Sequence, residues 1–238
     1  MDGILHLIRY DDWVIHALLA LPAAGAAAVL AAPTRAAKML ALAVSLAVFA
    51  LSAPLWVAFN PSTAAFQFTS AARWIPAWGI EYRVGIDGIS LPLLLLTTFL
   101  SPLTLLGSFR YIDRREKAFY SLMLLLEAGM LGVFVALDLF LFFMFWEVML
   151  VPMYFVIGIW GGERRIYAAV KFFLYTAAGS LLMLVGILYL FFKYHALTGN
   201  YSFAYADLLQ VPLTFREQFW LFVAFALAFA IKVPLVPF

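Results

Sequence analysis

Long apolar runs separated by short polar clusters set the pattern of this chain. A bilayer core of ~30 Å takes roughly 20 apolar residues of helix at 1.5 Å per residue. Seven runs reach that length: approximately Trp13 to Ala32, Ala37 to Phe59, Gly88 to Ser108, Ala118 to Val135, Leu139 to Trp160, Ile166 to Phe192 and Phe219 to Phe238. Asp138 is placed to cap the fifth, and Thr214 with Glu217 three residues later forms a capping box opening the seventh. In the connection 60–87, Ile80, Tyr82, Val84 and Ile86 alternate with Glu81, Arg83 and Gly85. This period of two predicts a half-buried strand, with Phe66 and Phe68 in its hairpin mate. The pattern therefore predicts an all-α, polytopic transmembrane helix bundle of about seven helices, with a small outer hairpin between the second and third. It reads as one membrane domain over 1–238: two N-terminal helices (13–59), the outer loop or hairpin (60–87), and helices three to seven (88–238).

Composition agrees with this. Residues are 66% apolar and 18% aromatic, with a mean hydropathy of +1.01 and only 12% charged. Soluble domains carry about 25% charge, so a soluble enzyme, a nucleic-acid binder and a disordered chain are all excluded. Without Cys there are no disulfides, thiolate metal sites or iron–sulfur ligands. His6, His16 and His195 are too scattered for a bis-His haem, and no Gly-rich phosphate loop occurs. No cofactor or metal is expected on this chain. The first apolar run follows Asp11 and Asp12 and lacks a basic leader, unlike a cleavable signal peptide. Trp13, Trp56, Trp74, Trp78, Trp160 and Trp220 fall near predicted interfaces, as an aromatic belt does.

Basic residues set an orientation. One set of connections holds Arg35, Lys38, Arg110, Arg114, Arg115, Lys117, Arg164 and Arg165 within about 21 residues. The other set holds Arg9, Arg73, Arg83, Lys193 and Arg216 over about 66. The dense side is expected in the cytoplasm, which places the N-terminus of this multi-pass chain outside it; the expected location is a bacterial plasma membrane.

Four charges remain inside apolar runs: Glu127, Glu147, Lys171 and Lys232. Each costs at least ~2.5–3.5 kcal/mol at membrane depth, so each needs a reason. Counted along the helices, Glu147 lies ~12 Å, Glu127 ~16 Å, Lys232 ~20 Å and Lys171 ~22 Å from the outer side. They form a middle layer spread across the membrane plane, which suits a lateral chain of proton sites with water between them. Glu147 and Lys232 make the leading pair. At an effective dielectric of about 20 their attraction is ~4 kcal/mol at 4 Å and ~2 kcal/mol at 8 Å, so a small movement decides where a proton resides. Proline loosens the backbone beside them: Pro234 frees the Ala230 carbonyl, Pro237 that of Val233 and Pro152 that of Val148. Such breaks at mid-depth are tolerated against protein or a water-filled cavity and recur in ion-translocating folds. Structural alternatives stand beside these roles. Lys171 is also placed to snorkel beside Arg164, Glu127 to be a neutral carboxylic acid that fixes helix packing, and Glu147 with Lys232 to be a purely structural ion pair.

At these residues the chain resembles a known family. The stretch from Asp138 to Trp160, the following Gly161-Gly162-Glu163-Arg164-Arg165, and Lys171 to Thr176 are similar to antiporter-like membrane subunits of respiratory complex I. So are Val84 to Ser90 and the closing Ile231-Lys232-Val233-Pro234-Leu235. Glu147 followed by Val151-Pro152-Met153 resembles the subunit M (chain 4) type. The resemblance spans about 82–238. It implies that Glu147 and Lys232 are the family's proton-translocating glutamate and broken-helix lysine, and that Lys171 belongs to the same polar axis. It also implies an inverted-repeat fold whose first unit this chain enters, the chain then being an N-terminal fragment of a longer subunit. Partners would be other membrane subunits, with NADH, FMN, iron–sulfur clusters and quinone on partner chains. The function implied is proton translocation driven by electron transfer elsewhere in an NADH-quinone oxidoreductase. A subunit of a multi-subunit cation/proton antiporter or membrane-bound hydrogenase is the alternative within that fold, and a non-translocating structural membrane protein the alternative outside it.

Overall fold

The computed structural model describes residues 9–237; His6 and Phe238 lie outside the described residues. The chain divides into two compact units, Met1–Ser70 with Val84–Ala136, and Ala71–Arg83 with Leu137–Phe238. The predicted hairpin is present as strands β1 (Gln67–Ile75) and β2 (Ile80–Ile86), paired in a two-stranded sheet. Its turn is a short 3-10 segment, Pro76–Trp78, closed by Gly79 at φ +61°. That conformation favours glycine, and a Cβ there would also meet the Tyr201 carbonyl oxygen at 2.0 Å.

The first unit is built from α1 (Tyr10–Ala31), α2 (Thr34–Ser52), the single turn α3 (Leu55–Ala58), α4 (Ser90–Ser108) and α5 (Glu116–Val135). In α2 the buried positions are Ala37, Ala41, Ser45, Val48 and Ser52, and in α4 Leu91, Leu94, Thr98, Pro102 and Leu105. Both follow the three- and four-residue spacing of one helical face. Lipid tails are as apolar as leucine, so helices associate there through close packing of small residues and through polar contacts. Both occur. Gly25 lies so close to α2 that a Cβ would meet Val44 Cγ1 at 2.6 Å, and the Ser52 and Thr98 hydroxyls hydrogen-bond at 2.7 Å. α5 is the central helix of this unit, its span 56% buried against 28–39% for the other five spans. Lys38 holds the end of the unit where α4 passes to α5, pairing with Glu116 at 3.1 Å and donating to the Phe109 carbonyl at 3.3 Å.

The second unit contains α6 (Leu139–Val148), α7 (Leu150–Trp160), α8 (Arg165–Thr198), the turn α9 (Tyr205–Leu208) and α10 (Phe215–Lys232). α8 is the spine against which α6, α7 and α10 pack. Gly179 and Gly186 admit Ile231 and Phe225 of α10, whose side chains would meet an added Cβ at 2.7 and 3.0 Å. Just before α6 the chain is extended. Leu137 N–H donates to the Arg83 carbonyl at 2.8 Å, and Leu139 N–H to that of Phe203 at 2.9 Å.

Among the described residues, six helical spans have the length and hydropathy to cross a membrane, α2 with α3 and α6 with α7 each counting as one. The seventh predicted segment is α10, with Arg216, Glu217 and Lys232 among its 18 residues. It differs from expectation at both ends. It starts at Phe215, directly after the capping box of Thr214 and Glu217, and it stops at Lys232 instead of running to Phe238, because Pro234 cannot donate into the next turn. The sixth segment, expected to end at Phe192, continues to Thr198, where Gly199 at φ +74° terminates it. The second lapses at Ala53–Pro54 before the turn α3.

Candidate functional site

Glu147 stands in the last turn of α6, one residue before its end. Regular α-helical bonding lapses at Met149, and α7 resumes at Leu150. Pro152 explains the lapse, since it offers no N–H to the Val148 carbonyl. The fifth predicted span is therefore two helices. α6 enters this region in a fixed register, because Asp138 accepts from Phe140 N–H at 2.9 Å, Leu141 N–H at 3.0 Å and Glu81 N–H at 3.2 Å. Asp138 is itself wholly buried. Burial pushes its carboxyl above the ordinary carboxylate value of 3.8, and these three donors offset the effect only in part. Asp87 behaves oppositely. Partial burial acts upward on it, yet the Ser90 and Ile89 donors outweigh this and hold its carboxyl below the ordinary value.

Lys232 is the last residue of α10. Its Nζ donates to the Trp146 carbonyl at 3.2 Å and lies 4.8 Å from the centre of the Trp146 indole. Glu147, the next residue, is close enough to act on it electrostatically, but the two form no direct ion pair. One carboxylate oxygen of Glu147, Oε1, is buried without a hydrogen-bond partner. An unpartnered buried acceptor is costly, so this oxygen stands out among the buried polar atoms.

The expected carbonyls behave differently beside the prolines. The Ala230 carbonyl, released by Pro234, accepts from Leu235 N–H at 2.8 Å and is not left free. Pro237 interrupts no helix, because α10 has already ended at Lys232.

The other two charges have surroundings of their own. Lys171 is exposed on α8, its Nζ 5.7 Å from the Tyr167 ring centre, in a cleft of about 610 Å³ lined also by Arg164, Arg165 and Tyr175. Its surroundings suit snorkelling beside Arg164. Glu127 belongs to the first unit, 1% exposed on α5, and Ser45 Oγ donates to its carboxylate at 3.1 and 3.3 Å. It borders a cavity of about 270 Å³ lined also by Thr97, Ser101 and Thr104.

Four polar residues escaped sequence reading. Ser45 is one. The others are Trp146, Ser180 and Thr176: Trp146 Nε1–H donates to Ser180 Oγ at 3.1 Å, and Ser180 Oγ to the Thr176 carbonyl at 3.0 Å. Two signals were available. Ser180 and Thr176 are one helical turn apart in an apolar run, and Trp146 is the one Trp of seven far from a predicted interface. Among the described residues no group of three or more His, Cys, Asp or Glu could hold a metal ion.

Broken helices and buried charges within a multi-pass bundle define a class of integral membrane protein, and comparison with known proteins specifies it. Residues 33–133 match the family model for the amino terminus of NADH-ubiquinone oxidoreductase chain 4. Residues 136–238 match that for the transmembrane region of NADH:quinone oxidoreductase and Mrp antiporters. The NADH-quinone oxidoreductase subunit M of Rhodobacter capsulatus is 40% identical over 244 residues, covering 100% of this chain and 46% of the relative. A chain of respiratory complex I from Thermus thermophilus with bound NADH superposes at a TM-score of 0.79 with 33% identity, covering 94% of this chain and 44% of that one. The Mrp complex from Dietzia sp. shares the fold at a TM-score of 0.76 with 23% identity, over 92% of this chain and 23% of that one. The chain belongs to the subunit M (chain 4) family of antiporter-like membrane subunits of NADH-quinone oxidoreductase. It spans about half the length of the curated relatives it matches.

Proposed function

We propose that this chain is part of a proton-translocating membrane subunit of NADH:quinone oxidoreductase, with Glu147 and Lys232 as the central relay pair. The observation that carries the reading is their placement. Glu147 sits at the α6–α7 break with a buried unpartnered oxygen, and Lys232 sits at the end of α10 against the residue before it. When the two approach, each favours the other's charged form. When they separate, that support weakens by about 2 kcal/mol for a change from 4 to 8 Å, and the proton can leave. Glu127, with Ser45 beside it, and Lys171, near the basic end of α8, are the relay's further sites. Pro152 keeps the backbone beside the pair adjustable.

On this reading the chain carries no redox centre. NADH, FMN, iron–sulfur clusters and quinone sit on partner subunits, and other membrane subunits flank this one. The N-terminus lies outside the cytoplasm in a bacterial plasma membrane. Glu147→Gln in the full-length subunit tests the relay. Proton pumping into vesicles is expected to collapse while the complex remains assembled and quinone reduction continues uncoupled. Unchanged pumping would overturn the assignment. The fold shared with the Mrp complex favours a second reading, a subunit of a cation/proton antiporter. Neighbouring genes for NADH- and quinone-reactive subunits support the first; their absence supports the second.

A further inference from the structure

A relay that works by separating Glu147 from Lys232 needs a place for the lysine when it is not paired. We infer that Trp146 is that place: a positioning residue whose carbonyl and indole face hold the Lys232 ammonium away from Glu147. The inference rests on the proposed relay and adds a residue to it.

Two surfaces of Trp146 meet Lys232 at once. The backbone carbonyl accepts from Nζ at 3.2 Å, and the ring centre is 4.8 Å from it, inside the ~6 Å range of a cation–π contact. Both favour the charged lysine and neither is itself a charge, so the ammonium is held here without a direct ion pair. Glu147 is the adjacent residue, so the transfer between the two positions is a matter of side-chain rotation. Its Oε1 is correspondingly bare.

The ring is kept in place. Its Nε1–H is bound to Ser180 Oγ on α8 at 3.1 Å, and its faces and edges meet Phe142 at 5.7 Å and Phe229 at 5.5 Å between centres. Trp146 is 7% exposed and Ser180 2%. A Trp serving only as packing needs no lysine on its face, and a Lys serving only as a structural ion partner would reach the carboxylate.

Site-specific replacement of Trp146 by fluorinated tryptophans in the full-length, assembled complex tests this. Fluorine withdraws density from the ring face while shape and N–H persist. Proton pumping per electron is expected to fall stepwise from mono- to tetrafluoro-tryptophan, by roughly fivefold at the end of the series. Trp146→Phe, which keeps a ring, is expected to pump better than Trp146→Leu at equal complex content. Pumping indifferent to fluorination overturns the inference, as does equal loss in the Phe and Leu variants. Lys232→Met is the control. If that variant pumps normally, the relay reading itself fails; if it does not pump while fluorination is harmless, only the role of Trp146 fails.

Discussion

A carboxyl buried to 1% exposure needs donors, and the Ser45 and Ser101 hydroxyls reach Glu127 from neighbouring helices. Removing a hydrogen-bond partner while leaving the other group buried costs about 1–3 kcal/mol. Ser45→Ala is therefore expected to lower the melting temperature of the purified protein in detergent, and Glu127→Leu together with Ser45→Ala to recover part of the loss. A Ser45→Ala protein that melts with wild type would show that the bond carries no stability. Asp138 gives a pH-dependent counterpart outside the membrane spans. Its folded carboxyl holds a proton above 3.8, because burial outweighs three N–H donors. The folded state thus binds more protons than the unfolded chain between 3.8 and the raised value, and stability falls as pH rises through that window. Asp138→Asn keeps an acceptor for the α6 amides and cannot ionise. Thermal melting against pH should lose this component of the acid-side slope in the variant; an identical slope in both proteins would contradict the assignment.

At the scale of elements, the breaks matter more than the helices they interrupt. Pro152→Ala restores a donor for the Val148 carbonyl and is expected to join α6 to α7, raising amide protection around Met149 and the melting temperature. The same change is expected to reduce proton pumping, since the loosened backbone beside Glu147 is lost. Higher stability with undiminished pumping would show that the break serves packing alone. The contrast with α10 is instructive. Its start is fixed by the reciprocal bonds of Thr214 and Glu217, with Glu217 also accepting from Lys193 at 2.5 Å and from the Tyr189 hydroxyl. This start and the Asp138 cap were readable, because capping chemistry needs only residues a turn apart. So was the hairpin, whose alternation of Ile80, Tyr82, Val84 and Ile86 is itself the physical requirement of a half-buried strand. The true end of α8 was not readable, since Lys193, Tyr194 and His195 look like an interface but continue the helix to Thr198.

For the molecule as a whole, apolar run length revealed the spans, because in a bilayer it is the span's main physical constraint. The site was legible only as unusual charges. Which of them meet depends on tertiary approach, and that is why Trp146 went unseen and why Lys171, in the same apolar layer by counting, lies in an exposed basic cleft. Orientation remains a whole-molecule property that charge density alone predicts. The absence of Cys makes it directly measurable, since a single introduced thiol is the only one on this chain. Asn200 and Glu163 are both exposed and flank opposite ends of α8. If the dense basic side is cytoplasmic, Asn200→Cys reacts with a membrane-impermeant maleimide in intact spheroplasts, whereas Glu163→Cys, beside Arg164 and Arg165, reacts only in inverted vesicles. The opposite labelling pattern would invert the orientation, and with it the direction in which Lys171 and its neighbouring arginines would present protons to Glu147 and Lys232.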